Sequence, residues 1–480
     1  MPNRVYLSLA FLVLVAACAT NPVTGGHDFV LMSEDQEIQA GRGADPQVRK
    51  QFGVYDDPKL QAYVQQVGEK LAANSHRAGL VYRFTVVDSP DVNAFALPGG
   101  YIYITRGILA YLNSEAELCA VLGHEIGHVT ARHSVRQYSK AVAGGVVASI
   151  FIRSDLGANL YSLLSNAILS GYGRDNELEA DRLGAEYLAR SGYSPSAMMG
   201  VMGVLKNQEE FEKERAKTEG REARNYHGVF ASHPSADQRL QEVVAQADQY
   251  KTDAAARVGR DDYLARIDGM VFGDSAKIGV RSGSRFYHRE LNFAVSFPKG
   301  WRLENAPNAV TAQNPERDAV MQMQTQDLNK RVSPEEFVKN QLRLDLKSPG
   351  PVAGTELPSY SGIARLGKTP FGARDTRVAV VYLDNRAYIF FATAKTDAGL
   401  AAHDAEFLAS ARSLHALKPD EKHLAEGLRV KVVRAKSGDT FAKLAQKSPV
   451  SNYSESILRL INDKFPSGEP APGESIKTIQ

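Results

Sequence analysis

Residues 123–128 read GHEIGH: two histidines four positions apart, with a glutamate directly after the first. On a helix at ~100° per residue, His124 and His128 stand roughly 40° apart on one face, one turn above the other, so both imidazoles reach one metal ion. Glu125 sits beside that face, close enough to take a proton from water on the same ion. Zinc held by H-E-x-x-H lowers the pKa of water toward ~7 and the glutamate serves as general base, which is the chemistry of peptide-bond hydrolysis. Two ligands do not complete such a site.

Three positions compete for the third. A metzincin pattern needs glycine at 131 and histidine at 134, where the chain has Ala131 and Ser134. His133 is near in sequence, but five residues past His128 a continuous helix turns it roughly 140° away. Further on, NELEADRLGAEYLARSGY reads as a second helix ending at Gly192, with Glu177 and Asp181 four apart on one face. That spacing suits a carboxylate ligand, with a second carboxylate placed to hold the other ring nitrogen of a ligating histidine.

The elements that must position these residues are legible around them. Ser114 and Glu117 form a capping box, and AELCAVLGHEIGHVTARHSVRQYSK continues that helix without proline. Strand-like YRFTVVD and NAFALPGGYIYITRG interrupt an otherwise helical segment, with a turn at Pro98-Gly99-Gly100. Residues 33–262 therefore read as a mainly α domain with a small β-sheet. From 265 to 418 the pattern changes to strand alternation, with a hairpin turn at Asp384-Asn385 and a short helix capped by Ser333, Pro334 and Glu336. Residues 428–480 follow as a third, small segment, similar to a βααβ unit. At 480 residues the chain has room for about three domains. Lys+Arg at 57 against Asp+Glu at 55 gives a net charge of +2, which excludes nucleic acid as the expected partner.

The start, MPNRVYLSLAFLVLVAAC, has Arg4 before a short apolar run and small residues, the pattern of a signal peptide over 1–17. VAAC resembles the lipobox of bacterial lipoproteins, which implies lipidation of Cys18 and a membrane anchor. The segment that follows, rich in Gly, Pro and Thr, reads as a linker, a tether over 18–32. Cys119, among apolar neighbours, reads as a buried inert thiol. The apolar stretch at 141–152 is about 12 residues long, short of the ~20 needed to span a bilayer.

HEIGH together with ELEAD resembles the HtpX/BepA-type (LoiP-like) zinc metallopeptidases, gluzincins whose third ligand is the first glutamate of E-x-x-A-D. The resemblance runs from NPVTG through NAFALPGGYIYITRGIL and HVTARHS to SHPSADQRL at 232–240. It implies a zincin-like fold, one zinc per chain held by His124, His128 and Glu177, and Asp181 as the supporting acid. It also implies that Asn93, Ala94, Phe95 and Ala96 form an edge strand contacting substrate. His233 is implied as an extra, activity-limiting ligand and Arg239 as an oxyanion-stabilising group. The implied substrates are polypeptides, unfolded or misassembled envelope proteins, and the implied place is the periplasmic face of a Gram-negative outer membrane. The segment 265–418 resembles a PsbP-like α+β fold. The segment 428–480 resembles a LysM module, which implies contact with peptidoglycan. A competing reading is a cell-wall-binding or assembly-factor lipoprotein whose zinc site is latent or structural.

Overall fold

The computed structural model describes residues 18–143, 172–220, 256–306, 308–450 and 452–480. The chain divides into two compact units, Met1–Phe272 with Arg429–Gln480, and Gly273–Leu428.

In the first unit the expected tether is ordered. Strands β1 (Cys18–Thr20) and β2 (His27–Phe29) pair antiparallel, because NPVTGG is a turn: the Asn21 carboxamide accepts from the N–H groups of Val23 and Thr24, and Gly25 takes φ +71°. Val30 and Met32 then pack with Ala40 and Val135, so burial as well as hydrogen bonding fixes this segment. Helix α1 (Glu34–Phe52) starts at Ser33, whose hydroxyl accepts from Gln36 N–H while the Gln36 side chain returns to Ser33 N–H. Helix α2 (Pro58–Ala72) packs against a three-stranded sheet of β3 (Arg83–Val87), β4 (Ala94–Leu97) and β5 (Tyr101–Thr105). The order is β3-β5-β4, with β3 and β5 parallel, β4 antiparallel to β5 and at one edge. Gly99 and Gly100, at φ +76° and +86°, make the tight β4–β5 turn that a side chain would strain.

After α3 (Arg106–Tyr111) comes α4 (Glu115–Thr130), the central helix, in which every residue but Glu117 is buried. Its cap differs from the expected box. Ser114 accepts from Glu117 N–H, but the Glu117 carboxylate takes the N–H of Asn113, one residue earlier. The expected continuous helix also differs: α4 ends at Thr130, Arg132 adopts φ +54°, and α5 (His133–Ala143) begins anew. Long-range contacts impose that break. The buried Arg132 guanidinium donates to Glu37 (3.0 Å) and to Met32 O (2.8 Å), while Arg77 donates to Glu37 (2.8 Å) and Val129 O (3.1 Å). Helices α6 (Arg174–Arg190), α7 (Ala197–Thr218) and α8 (Arg260–Ile267) complete the unit. Among the described residues, no helix is long and apolar enough to cross a membrane.

The C-terminal segment has β6 (Gly427–Arg434), α9 (Phe441–Ala445), α10 (Ser454–Ile461) and β7 (Ser475–Ile479), with β6 and β7 antiparallel. It belongs to the first unit, and one side chain shows how. Lys477, fully buried, donates to the carbonyls of Ala110 (2.8 Å) and Leu112 (2.6 Å) at the end of α3, and burial holds its amine well below the ordinary lysine range. Arg260 of α8 donates to Ser475 O, and Phe211 of α7 meets Tyr453 and Phe465 edge-on.

The second unit runs later than the expected 265–418. At its start, α8 stays with the first unit because Tyr263 is buried there and donates to Leu109 O. At its end, Leu417 and Ala425 pack with Tyr287 and Ala294. A seven-stranded antiparallel sheet is its frame, in the order Arg302–Ala306, Ala309–Gln313, Ala319–Asp327, Arg386–Ala394, Gly372–Leu383, Ser359–Thr369, Lys347–Gly350. Helix Asp397–Arg412 covers one face through Leu400 and Phe407, joined by Trp301 and Phe390. Phe337 and Val338 cover the other, in a π-helical stretch after the Ser333–Glu336 capping box.

Because the α3 carbonyls depend on Lys477, removal of 429–480 leaves two buried acceptors unpaired. The expected result is a fall of roughly 5 °C or more in the unfolding midpoint of the first unit, read by thermal denaturation. An unchanged midpoint would show that the segment folds apart from it.

Candidate metal centre

The centre is built where α4 crosses α6, and small residues allow the crossing. A Cβ on Gly127 would meet Ala180 O at 2.9 Å and Ala180 Cα at 3.0 Å; one on Gly184 would meet His124 N at 3.0 Å. With Gly123, these residues let the two backbones approach closely enough for a short glutamate on α6 to reach the histidines of α4.

His124, His128 and Glu177 converge, all buried, with ligand atoms within 4.8 Å of one another. The two Nε2 atoms are 3.0 Å apart; His124 Nε2 lies 3.6 Å from Glu177 Oε2 and His128 Nε2 lies 3.5 Å from Glu177 Oε1. Tetrahedral zinc with bonds of ~2.0–2.1 Å sets its ligands about 3.3 Å apart, so two imidazole nitrogens and a carboxylate oxygen at these separations fit it, with a fourth position left for water or substrate. Asp181 Oδ1 is 2.8 Å from His124 Nδ1. The imidazole N–H therefore donates to the carboxylate at Nδ1, which leaves the Nε2 lone pair for the ion.

The sequence reading missed three neighbours. His133 lies beside His128 after all, Nδ1 to Nδ1 at 2.8 Å, because the helix breaks at Arg132 instead of continuing. Glu179 Oε2 is 3.1 Å from His133 Nε2, and the hydrogen bond to that ring holds its carboxyl below the usual range. Tyr172 stacks on His128 with ring centroids 4.1 Å apart, and its hydroxyl pairs with Ser134 at 2.6 Å. For His133 the sequence signal is HVTARHS itself, if a helix break is allowed within it.

Glu125 is buried next to His124, and both line an apolar pocket with Ala94, Met198, Val201 and Met202. Of the edge-strand residues, Asn93 O accepts from Thr105 N–H and Phe95 packs between Phe52 and Tyr103. Alternation then directs the backbone groups of Ala94 and Ala96 away from β5. Cys119 is fully buried and burial pushes its thiol up. His233 and Arg239 lie outside the described residues, as does most of 141–152.

The stretch that holds this geometry is also the one that resembles known proteins. Residues 58–247 match the family described as peptidase family M48. That stretch of the chain is similar to an M48 peptidase domain. A beta-barrel assembly-enhancing protease of Yersinia pestis is 30% identical over 259 residues, covering 51% of this chain and 50% of that one. The mitochondrial metalloendopeptidase OMA1 of Arabidopsis thaliana is 31% identical over 225 residues, covering 45% of this chain and 43% of that one. The chain thus spans about half the length of the curated relatives it matches. Among solved structures, cyanobacterial PsbP from Synechocystis aligns with 29% of this chain and 95% of its own at 13% identity and a TM-score of 0.23. The matched stretch contains the whole donor set, and zinc is the metal of that family.

The glycine contact yields a direct test. Gly127→Ala, which at an exposed helical site would stabilise, here forces α4 and α6 apart. The expected outcome is zinc binding weakened at least ~10-fold in chelator competition, since ligand geometry tolerates little displacement; wild-type affinity would contradict the role given to this contact.

Proposed function

We propose that this chain is a zinc metalloendopeptidase, and the observation that carries the reading is the buried His124–His128–Glu177 cluster with Glu125 on the same helix, within an M48 domain. Zinc, when bound, supplies a Lewis acid that polarises the scissile carbonyl and lowers the pKa of water. The chain's own residues do the rest. Glu125 takes a proton from the attacking water as the C–O bond forms, and delivers it to the amide nitrogen as the C–N bond breaks. Asp181 keeps His124 oriented through its Nδ1 proton. Ala94 and Ala96 offer outward backbone groups to which an extended polypeptide can add as a strand, a mode that reads main chain more than side chains. The adjoining pocket, with Met198, Val201 and Met202, receives an apolar side chain of that polypeptide. His233 acts as an activity-limiting ligand and Arg239 stabilises the oxyanion, roles supported by the family resemblance of SHPSADQRL.

The substrates are unfolded or misassembled envelope proteins, in keeping with a relative whose name ties it to beta-barrel assembly. Lipidation at Cys18 anchors the protein to the periplasmic face of the outer membrane, a reading supported by the VAAC boundary. The second unit is a PsbP-like domain. The βααβ segment at the C-terminus is a LysM-like module that contacts peptidoglycan, supported by its SGDT turn and returning strand.

Glu125→Gln leaves the metal donors in place and removes the proton acceptor. Zinc content equal to wild type, with degradation of an unfolded protein lowered by at least ~100-fold, is expected from the soluble chain beginning after Cys18. Equal cleavage by both proteins would refute the proposal.

A further inference from the structure

The two histidine ligands are held in different ways. His124 gives its Nδ1 proton directly to Asp181. His128 turns its Nδ1 to another ring, with His133 Nδ1 at 2.8 Å. We propose that His133 and Glu179 form a relay that fixes the tautomer and orientation of His128, making both positioning residues of the metal centre. This rests on the metal-centre reading above.

The proton placement leaves one consistent arrangement. His128 Nε2 faces His124 Nε2 and Glu177 Oε1, so it must present a lone pair to the ion, and its proton sits on Nδ1. Two nitrogens 2.8 Å apart need one donor and one acceptor, so His133 Nδ1 accepts. The His133 proton is then on Nε2, 3.1 Å from Glu179 Oε2, where a carboxylate receives it. Glu179 is held in turn by Arg136, whose Nη1 lies 3.4 Å from the same oxygen.

Burial and packing make the relay rigid. His133 is fully buried and meets His128 edge-on, with centroids 4.9 Å apart at 69°, while Tyr172 stacks against the ring of His128. The helix break sets the position: with Arg132 at φ +54°, His133 becomes the first residue of α5 and points back toward the end of α4. One short helix segment, Glu177 to Asp181, thereby serves the centre three times. Glu177 faces the ion, Asp181 holds one histidine, and Glu179 holds the other through His133.

The test uses the full soluble chain with zinc alone as ligand, its affinity read by chelator competition, and the cobalt-substituted protein read by its visible absorption. His133→Ala is expected to bind zinc ~10–100-fold more weakly, the usual cost of losing an outer-shell partner. His133→Asn places an amide oxygen where Nδ1 was and is expected to restore most of the affinity and the wild-type cobalt spectrum. Glu179→Gln, at a partly exposed position, is expected to weaken binding while the metal-free unfolding midpoint stays at the wild-type value. Wild-type affinity in both His133→Ala and Glu179→Gln, or an Asn variant as weak as Ala, would overturn the relay while leaving the centre standing. Failure of the wild-type chain itself to bind zinc would overturn the centre and the relay together.

Discussion

Everything at this centre depends on how closely two helices can approach. A glutamate carries its carboxylate only a few ångströms from the backbone, so Glu177 reaches the histidines of the central helix only if nothing bulky lies between. Gly123 and Gly127 on one helix, and Ala180 and Gly184 on the other, remove that obstacle. The two glycines of GHEIGH are therefore as much part of the site as its histidines. They lie four apart, as the histidines do, and the helix that presents metal donors from one turn offers a smooth packing surface from the neighbouring one.

A buried electrostatic knot supplies the second constraint. Glu37 accepts from both Arg77 and Arg132, and these arginines also take the carbonyls of Val129 and Met32. Removing one partner of such a buried set costs about 3–5 kcal/mol, because the others are left charged and dry. Here that penalty stabilises a left-handed residue that ends the central helix one turn after His128. Met32 and Glu37, ahead of the stretch that matches the M48 family, thus help shape the metal site from a distance, as Lys477 does from the other end of the chain by capping the helix before it.

These constraints also explain what was legible in the sequence. The i, i+4 pairs His124/His128 and Glu177/Asp181 could be read because a helix puts such residues on one face whatever surrounds it. The turn at Pro98-Gly99-Gly100 between two short strands and the hairpin at Asp384-Asn385 carry their own backbone chemistry and were equally plain. His133 was misplaced because TARHS contains no local breaker; the helix break before it comes from contacts with residues almost a hundred positions away. Glu179 was passed over because two residues from Glu177 it falls roughly 200° around the helix and reads as solvent-facing. The tether was read as a linker from composition, which does not register that Asn21 closes a turn or that Met32 is buried. The unit boundaries shifted for the same reason, since packing of Tyr263 and Lys477 against distant partners has no sequence period.

One crossing of two helices makes a closed set of two imidazoles and one carboxylate. X-ray absorption at the zinc edge on the full soluble chain tests this most directly. The expected result is a nitrogen and oxygen shell at about 2.0–2.1 Å, with scattering from two imidazoles and no sulfur. A single imidazole, or a sulfur ligand at about 2.3 Å, would contradict it.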